Sequence, residues 1–361
     1  MLTRLRIKNF KRFGDADVEL GQSVVFIGPN NSGKTTALQA LALWDVGLRK
    51  WNERREGKTS PEKRPGVTIN RRDLIAIPVP DANLIWRNLH VRDVRRTSGK
   101  QETRNIRVEF IVDGVTAGQS WSCGFEFDYA NEESFYCRPL RLTEDKAPQR
   151  MPVPPEAADT RFAFLPPMSG LAATEPKWEA GRINVLLGEG QTAQVLRNLC
   201  YQICEQPDPK PAWKNVCAHI ESLFGAQLQP PQFIKERGEI AMTYRDQSGC
   251  VLDLSSAGRG LQQTVLLLAH LYANPKTVLL LDEPDAHLEV LRQRQMYQLL
   301  TDVASQQGSQ LPTSRCCSTA HPPIGPPPTK KRSTRHPHRP PPTPPTPRRW
   351  GDDRSARATA A

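Results

Sequence analysis

Apolar and polar positions follow two periodicities along the chain, and together they predict a mixed α/β protein. Continuous apolar runs of strand length at 23–27 and Val278–Leu281 are typical of strands buried inside a parallel sheet. Alternating segments at 107–112 and 124–129 instead predict half-buried strands. Further strands are predicted at Leu2–Phe10, 16–20 and Phe162–Leu165, with a meander over 233–254. Helical spacing of apolar residues predicts helices at 35–52, 193–205, 212–224, 260–272 and 287–304.

The order of these segments predicts how the chain is organised. We expect the polar segment 53–72 to be a loop or an inserted excursion, and 144–159, rich in proline and charge, to be a linker. The alternating residues of 105–142 predict an antiparallel β lobe beside the parallel sheet. The expected main domain is residues 1–311, with β-rich and helical insertions at about 53–250.

The formal net charge of +11 belongs mostly to the end of the chain. Residues 312–361 carry 10 Lys and Arg against 2 Asp and Glu, and hold 13 of the 33 prolines. The other 311 residues are nearly balanced, with 39 basic and 36 acidic side chains. Such a basic, proline-rich segment cannot bury a core, so we expect 312–361 to be a disordered tail. The charge therefore does not predict nucleic-acid binding by the folded part.

Nothing in the sequence is typical of a membrane or secreted protein. The longest apolar stretch, around 265–272, falls far short of the ~18–20 residues that a membrane-spanning helix needs. The first residues carry charge but no apolar signal-peptide region. We therefore expect a cytoplasmic protein that does not contact membranes.

The eight cysteines form no CxxC pair. Cys200 and Cys204 lie four residues apart on a predicted helix, and Cys217 and His219 follow, so a zinc cluster is one interpretation. The spacing fits no standard zinc finger, and buried thiols are the simpler interpretation.

The strongest motif is GPNNSGKT at 28–35, which matches G-x-x-x-x-G-K-[ST] between a predicted strand and a predicted helix. Glycines let successive backbone N–H groups face phosphates, and the helix N-terminus adds positive charge. Lys34 is expected to reach the β- and γ-phosphates, and the Thr35 hydroxyl to bind Mg²⁺. An accidental Gly-rich turn is the alternative. The candidate nucleotide-binding residues here are Gly28, Pro29, Asn30, Asn31, Ser32, Gly33, Lys34, Thr35 and Thr36.

A second motif is the apolar strand Val278–Leu281 followed by Asp282 and Glu283. This Walker-B pattern places carboxylates at the edge of a parallel sheet, beside the phosphate-binding loop. Asp282 is expected to hold Mg²⁺ through its water shell, and Glu283 to act as the general base that orients and polarises the attacking water. The alternative is a strand end that merely caps the next helix.

Four segments in a fixed order carry a family resemblance: IKNFKRF (7–13), GPNNSGKTT (28–36), LSSAGRGLQQ (254–263) and LLLDEPDAHLE (279–289). The chain resembles ABC-type ATPase heads of the SMC/RecF group. It is most similar to bacterial AAA-family ATPases of the OLD (overcoming lysogenization defect) type, over about residues 1–311. The resemblance implies an α/β P-loop fold of ABC-ATPase type. The absence of heptads favours a compact OLD/RecF-like head over an SMC protein with long arms.

In that family the signature segment of one subunit caps ATP on the P-loop of another, which implies a homodimer. The resemblance implies that Ser255, Ser256 and Gly258 contact the γ-phosphate, although LSSAGRG departs from the usual LSGGQ by an extra Ala and Arg. The alternative is a Ser/Gly cap of a core helix. Asp285 and His287 match the D-loop, and His287 is alternatively a first-turn helix residue.

The resemblance also sets expectations that this sequence meets only in part. Gln191 and Gln194 are the default candidates for the Q-loop glutamine. OLD-type proteins usually continue into a Toprim nuclease domain, which this sequence lacks, so we expect no nuclease activity. The family has a further buried strand and a switch histidine after helix 287–304. Only 309–311 begins such a strand, and no apolar run precedes His321.

Three hypotheses address the change of composition near residue 311. Residues 312–361 are a basic docking segment, a solvated tail, or out-of-frame translation of a longer gene. Sequencing the gene near codon 311 separates the third hypothesis from the others.

The functional expectation is Mg²⁺-dependent ATP binding and hydrolysis coupled to DNA transactions. The alternatives are a nucleotide-binding protein without turnover, because the final core strand and switch histidine are missing, and an interaction module that works through its tail.

Overall fold

The computed structural model describes residues 1–55, 66–97, 100–143, 149–206 and 209–316. The strands are β1 (Leu2–Phe10), β2 (Phe13–Glu19), β3 (Ser23–Gly28), β4 (Val67–Asn70), β5 (Arg92–Thr97), β6 (Lys100–Asn105), β7 (Val108–Thr116), β8 (Gln119–Asn131), β9 (Ser134–Pro139), β10 (Phe162–Leu165), β11 (Gln227–Leu228), β12 (Gln232–Ile234), β13 (Glu239–Ala241), β14 (Thr243–Arg245), β15 (Val251–Asp253), β16 (Val278–Leu281) and β17 (Leu311–Cys316). The helices are α1 (Lys34–Arg55), α2 (Pro155–Ala158), α3 (Ala180–Gly188), α4 (Leu196–Cys204), α5 (Pro209–Phe224), α6 (Arg259–Ala273) and α7 (Val290–Gln306).

Four parallel strands form the central sheet in the order β10, β16, β17, β3. The predicted strands Phe162–Leu165 and Val278–Leu281 are confirmed with the same bounds. The P-loop strand β3 and the acid-bearing strand β16 are not neighbours, because β17 lies between them. Loops that follow parallel strands emerge at one edge of the sheet, so the loops after β3, β10 and β16 share that edge.

Strand β17 corrects the expectation that the final core strand is missing. Leu311–Cys316 pairs with β3 along its whole length, and Thr313 pairs with Leu281 of β16. The prediction was wrong because it required an apolar run, and because a proline argues against a central strand. Here Pro312, Thr313 and Ser314 are all buried, and the two hydroxyl groups have hydrogen-bond partners inside the sheet layer. The folded part therefore extends past the expected boundary at residue 311, and residues 317–361 of the predicted tail, including His321, lie outside the described residues.

A six-stranded antiparallel sheet, in the order β2, β1, β7, β8, β9, β4, forms the predicted β lobe. Alternate residues of β7 are buried, as the sequence pattern predicted. Helix α1 is anchored in this lobe by Trp44, which is fully buried, donates from Nε1 to the Cys123 carbonyl at 3.0 Å and stacks against Trp121. The helix that begins at the P-loop is thus held at its middle by the lobe.

Two hydrophobic cores cover opposite faces of the central sheet. Leu279 and Leu281 point into a core made with α3 to α7, whereas Val278 and Leu280 point into the core shared by α1 and the lobe. Successive side chains of a strand point to opposite faces, which explains why a continuous apolar run was needed at β16.

Several predicted boundaries differ from the observed ones. Helix α7 begins at Val290 rather than at 287, because His287 has a left-handed φ of 66° that a helix does not accommodate. Strand β4 lies inside 53–72, where only a loop or excursion was predicted, and it pairs with β9 at the lobe edge. Helix α3 was not predicted.

The cysteine cluster does not form a metal centre in the described part of the chain. No group of three or more His, Cys, Asp or Glu side chains there is placed to hold a metal ion. Cys200 is fully buried, and burial raises the pKa of its thiol well above the ordinary value. Among the described residues, no helix combines the length and apolar character needed to cross a membrane.

Candidate nucleotide-binding site

The loop between β3 and α1 closes through a tight backbone turn. The Ser32 N–H donates to the Pro29 carbonyl at 3.2 Å, and Asn31 and Gly33 have positive φ angles of 63° and 105°. Glycine is required at position 33 because of this φ, and because a Cβ there would lie 3.0 Å from the Phe13 ring. A loop of this shape before a helix N-terminus can point backbone N–H groups at an anion.

Lys34 is the first residue of α1, and its side chain folds back over the loop. Its Nζ donates to the carbonyls of Gly28 and Pro29, both at 3.0 Å. The side chain is mostly buried, so the ammonium group is held at the loop rather than in solvent. The strand, loop and helix predicted around this lysine are all present. The motif therefore does not lie in an isolated Gly-rich turn, which was the alternative interpretation.

Thr35 and Asp282 are in direct contact although 247 residues separate them in the chain. The Thr35 hydroxyl lies 3.0 Å from Oδ1 and 2.9 Å from Oδ2 of Asp282, whose residue is only 6% exposed. Asp282 does not cap the next helix, because Glu289 occupies the N-cap position of α7. The structure therefore brings together the two residues that the sequence assigned to Mg²⁺.

Glu283 follows Asp282 and is half-buried, with a left-handed φ of 47°. Its backbone N–H donates to Ser314 Oγ at 3.0 Å, and the same hydroxyl donates to Asp282 Oδ1 at 2.5 Å. Ser314 was assigned to the tail in the sequence analysis and was missed as a site residue. Its position, one strand after the acidic pair, was the signal that could have found it.

The signature segment forms a short 3₁₀ turn over Leu254–Ser256 before α6. Ser255 donates to Asp253 Oδ1 from both its N–H (2.8 Å) and its hydroxyl (2.6 Å), and Ser256 Oγ donates to the Asp253 carbonyl at 2.7 Å. Gly258 is the N-cap residue of α6, as the alternative interpretation expected for this glycine. Both serines are exposed, so the turn presents them outward from this chain.

A charge network centred on the buried Arg197, which was not predicted from the sequence, supports this turn. Arg197 on α4 is 1% exposed and donates to Asp253 Oδ1 at 3.0 Å, while the Glu175 carboxylate accepts from the Arg197 backbone N–H at 2.9 Å. Burial acts to raise the pKa of Asp253, but the hydrogen bonds from Ser255 and the charge of Arg197 outweigh it and leave that pKa below its ordinary value.

Asp285, in the predicted D-loop, forms an ion pair with Arg315. Like Ser314, Arg315 was expected to belong to the tail and was not predicted as a site residue. Arg315 Nε lies 2.9 Å from Asp285 Oδ2, and the Arg315 guanidinium stacks 5.5 Å from the Tyr297 ring centroid. Burial raises the pKa of Asp285, and the Arg315 charge opposes this shift. His287 is exposed and precedes the helix, so the first-turn interpretation of it is wrong.

Gln191 and Gln194 lie at a turn between α3 and α4. Gln194 Nε2 donates to Gln191 Oε1 at 2.8 Å, so the two amides bond to each other. The turn rests on the loop that follows β10, since Thr192 Oγ1 accepts the Ser169 N–H at 2.8 Å. Their Q-loop assignment stays a prediction.

These groups fit a magnesium nucleotide. A hydroxyl and a carboxylate supply oxygen ligands of the kind that Mg²⁺ prefers, and the lysine and loop amides supply cations and donors for phosphates. Together with the four-stranded parallel sheet, the site defines an α/β P-loop nucleotide-binding fold, with an antiparallel β lobe.

Comparisons with known proteins agree with this class. Residues 1–64 match the family described as "AAA ATPase domain", and residues 218–311 match the one described as "AAA domain, putative AbiEii toxin, Type IV TA system". A 43-residue stretch is 49% identical to an OLD nuclease of Thermus scotoductus, covering 12% of this chain and 8% of that protein. These matches confirm the resemblance to AAA- and OLD-type P-loop ATPases.

Similar solved structures include SMC head domains. The SMC head domain from Thermotoga maritima is 14% identical, with a TM-score of 0.40, covering 87% of this chain and 88% of that one. An SmcHead bound to the C-winged helix domain of ScpA is 14% identical, with a TM-score of 0.44 and coverage of 88% and 90%. A Pyrococcus furiosus Smc head bound to the C-terminal domain of ScpA is 10% identical, with a TM-score of 0.40 and coverage of 87% and 89%.

Proposed function

We propose that this chain binds ATP with Mg²⁺ and hydrolyses it. The observation that carries the proposal is the contact of Thr35 with Asp282, which joins the helix after the P-loop to the end of β16. The matches to AAA ATPase families support the same activity.

Each residue has a separate task in this proposal. The loop amides of 28–36 and the Lys34 ammonium bind the phosphates, and Thr35 and Asp282 hold the metal. Mg²⁺ supplies charge neutralisation at the phosphates. Glu283 accepts a proton from the attacking water and orients it, and its half-buried position beside Asp282 suits that role.

We further propose that the site is completed by a second copy of the chain. Ser255, Ser256 and Gly258 would contact the γ-phosphate on the partner's P-loop. Support comes from the exposure of both serines and from the bonds of Arg197 and Ser255 to Asp253, which fix their turn. A fixed, outward-facing turn is suited to docking because little freedom is lost when it binds.

Four variants test the catalytic proposal. Lys34→Ala should abolish nucleotide binding, and Glu283→Gln should bind ATP but stop turnover. Lys50→Ala on the same helix and Glu289→Gln near the same loop are matched controls that should hydrolyse ATP like wild type. Unchanged hydrolysis in Lys34→Ala or Glu283→Gln would overturn the assignments.

A nucleotide-binding protein without turnover is the competing function. This alternative was based on a missing final strand and a missing switch histidine. Strand β17 removes the first argument. The second remains, because no histidine in this sequence follows a Ser or Thr. Wild type that binds ATP tightly yet releases phosphate no faster than Glu283→Gln would favour this alternative.

Coupling to DNA is proposed from the family resemblance. The test compares ATP hydrolysis with and without duplex DNA, and the salt dependence of DNA binding by the full chain and by a truncation after Cys316. The truncation must begin at 317, because residues up to 316 belong to β17. A tail-driven interaction would lose most of its salt slope in the truncated chain.

A further inference from the structure

Strand β17 places a fully buried hydroxyl beside the two acidic residues of the site. Ser314 is 0% exposed, and because Thr313 pairs with Leu281, Ser314 lies level with Asp282. Parallel pairing thus fixes the hydroxyl at the strand end where the acidic pair begins.

The Ser314 hydroxyl forms one hydrogen bond as a donor, to Asp282, and one as an acceptor, from Glu283. It donates to Asp282 Oδ1 at 2.5 Å and accepts the Glu283 N–H at 3.0 Å. A hydroxyl has one donor and two acceptor sites, so both bonds form at once. A single buried side chain therefore fixes both the Asp282 carboxylate and the Glu283 backbone.

The two hydroxyls on Asp282 belong to different parts of the site. The Thr35 hydroxyl donates to Asp282 and keeps lone pairs with which its oxygen can ligate Mg²⁺. Ser314 comes from the neighbouring strand β17 and is not among the proposed metal ligands, so its bond to Asp282 serves to orient the carboxylate. Partners that orient a ligand in this way matter to metal affinity although they do not touch the metal.

The Ser314 hydroxyl also stabilises the backbone conformation of Glu283. A left-handed φ of 47° is unfavourable for a non-glycine residue and persists only where neighbouring contacts enforce it. The bond from the Glu283 N–H to Ser314 is one such contact. Loss of that bond would let the Glu283 side chain move away from its position.

We propose that Ser314 is a positioning residue of the ATPase site, which orients Asp282 toward Mg²⁺ and holds the Glu283 backbone for catalysis. This inference rests on the proposed function. It assigns a role in the site to the strand between β16 and β3.

The test uses the full chain and three variants. Ser314→Ala removes both bonds, Ser314→Thr keeps the hydroxyl, and Thr313→Val is the matched control. Thr313 is equally buried on the same strand, but its hydroxyl donates to the Val24 carbonyl at 3.3 Å instead. The measurements are affinity for a fluorescent ADP analogue in Mg²⁺ and in EDTA, kcat and KM for ATP, and thermal stability.

Mg²⁺ should increase the affinity for the ADP analogue about tenfold less in Ser314→Ala than in wild type, whereas the affinity measured in EDTA should be unchanged. The kcat of Ser314→Ala should also fall about tenfold or more, while Ser314→Thr and Thr313→Val stay within about twofold of wild type. A merely structural serine would lower stability but leave the ratio of affinities in Mg²⁺ and EDTA unchanged. If Ser314→Ala does not fold, Ser314→Cys replaces it, with a loss between those of Ala and Thr.

The outcomes separate this inference from the proposed function. Wild type without Mg²⁺-dependent ADP binding or hydrolysis would overturn the proposed function, and this inference with it. Active wild type together with Ser314→Ala (or Ser314→Cys) indistinguishable from Thr313→Val would overturn the role of Ser314 alone.

Discussion

The Thr35 hydroxyl contacts both carboxylate oxygens of Asp282, at 3.0 and 2.9 Å. Thr35 belongs to α1, which follows β3, and Asp282 directly follows β16. Strand β17 lies between β3 and β16 in the sheet. Because the contact depends on the register of three parallel strands, it tests the sheet order as well as the site. It also places the expected metal ligands within reach of each other before any metal binds.

The first prediction concerns the charge of Asp282. Asp282→Asn keeps an oxygen that can accept the Thr35 hydroxyl, so the fold should persist, with a melting temperature within about 4 °C of wild type. The amide lacks the charge that attracts Mg²⁺, so kcat should fall about 100-fold or more. Circular dichroism and a phosphate-release assay measure the two effects.

The control for this prediction is Asp302→Asn, on the exposed part of α7, where the carboxylate accepts a surface hydrogen bond from the Gln298 side-chain amide at 2.9 Å. It should hydrolyse ATP at the wild-type rate. Full activity in Asp282→Asn would show that Asp282 does not contribute to metal binding.

The central sheet could be predicted where burial on both faces demands a continuous apolar run. Strands β10 and β16 meet that condition, since their alternate residues enter two different cores, and their predicted bounds agree with the observed ones. The P-loop could be predicted from its glycines and lysine, because the motif states a backbone shape as well as a composition.

Strand β17 could not be predicted by the same rule, because its burial is compensated by hydrogen bonds rather than by apolar side chains. The Thr313 hydroxyl donates to the Val24 carbonyl, and the Ser314 hydroxyl donates to Asp282. Both partners are distant in the sequence. A sequence pattern does not reveal such partners in advance. The start of α7 was missed for a related reason, since the left-handed residues Glu283 and His287 reflect local turn geometry that polar composition does not specify.

The second prediction concerns the ion pair of Arg315 with Asp285. Arg315→Leu leaves the mostly buried Asp285 without its cation, so the free energy of unfolding at pH 7 should fall by about 1–3 kcal/mol. Burial already raises the pKa of Asp285, and loss of Arg315 raises it further. The destabilisation should therefore shrink as the pH falls and Asp285 takes up a proton in the folded state.

Urea unfolding of wild type and Arg315→Leu at pH 7 and pH 5 measures this effect. Arg237→Leu, which removes a mostly exposed partner of Glu239, is the control and should change stability by less than about 1 kcal/mol. A loss for Arg315→Leu that is the same at both pH values would contradict the assignment to Asp285.

The third prediction concerns His270, a buried residue on α6. Burial lowers its pKa from 6.5 to about 4, so the unfolded chain binds the proton first as the pH falls. Stability contributed by the neutral ring is fully present above pH 6.5 and is lost progressively down to about pH 4, by up to about 3 kcal/mol. His270→Leu cannot be protonated there, so it should lose less stability than wild type over that range.

The comparison is made as the difference between the two proteins at each pH. Burial raises the pKa of Asp45 to about 6, which changes stability in the opposite direction over an overlapping range. Asp45 and His270 line the same cavity, so both proteins are compared in an Asp45→Asn background, in which this opposite effect is absent. Equal pH dependence of unfolding in the two proteins would refute the lowered pKa.

The fourth prediction tests whether two chains share each site. Ser256→Arg replaces a proposed γ-phosphate contact on the exposed signature turn with a bulky side chain, which should make that turn non-functional without disturbing a buried contact. Lys34→Ala removes phosphate binding but leaves its signature turn intact. Each variant alone should be inactive, because both of its composite sites are defective.

Mixing the two variants should restore hydrolysis. In a mixed dimer the P-loop of Ser256→Arg faces the intact signature turn of Lys34→Ala, and the other site is doubly defective. Random exchange makes about half of the dimers mixed, each with one working site of two, so about a quarter of wild-type activity is expected. The control mixes Lys34→Ala with the double variant Lys34→Ala/Ser256→Arg and should stay inactive. An equally inactive Lys34→Ala and Ser256→Arg mixture, in subunits shown to exchange, would exclude a shared site, since each defect would then act within its own chain.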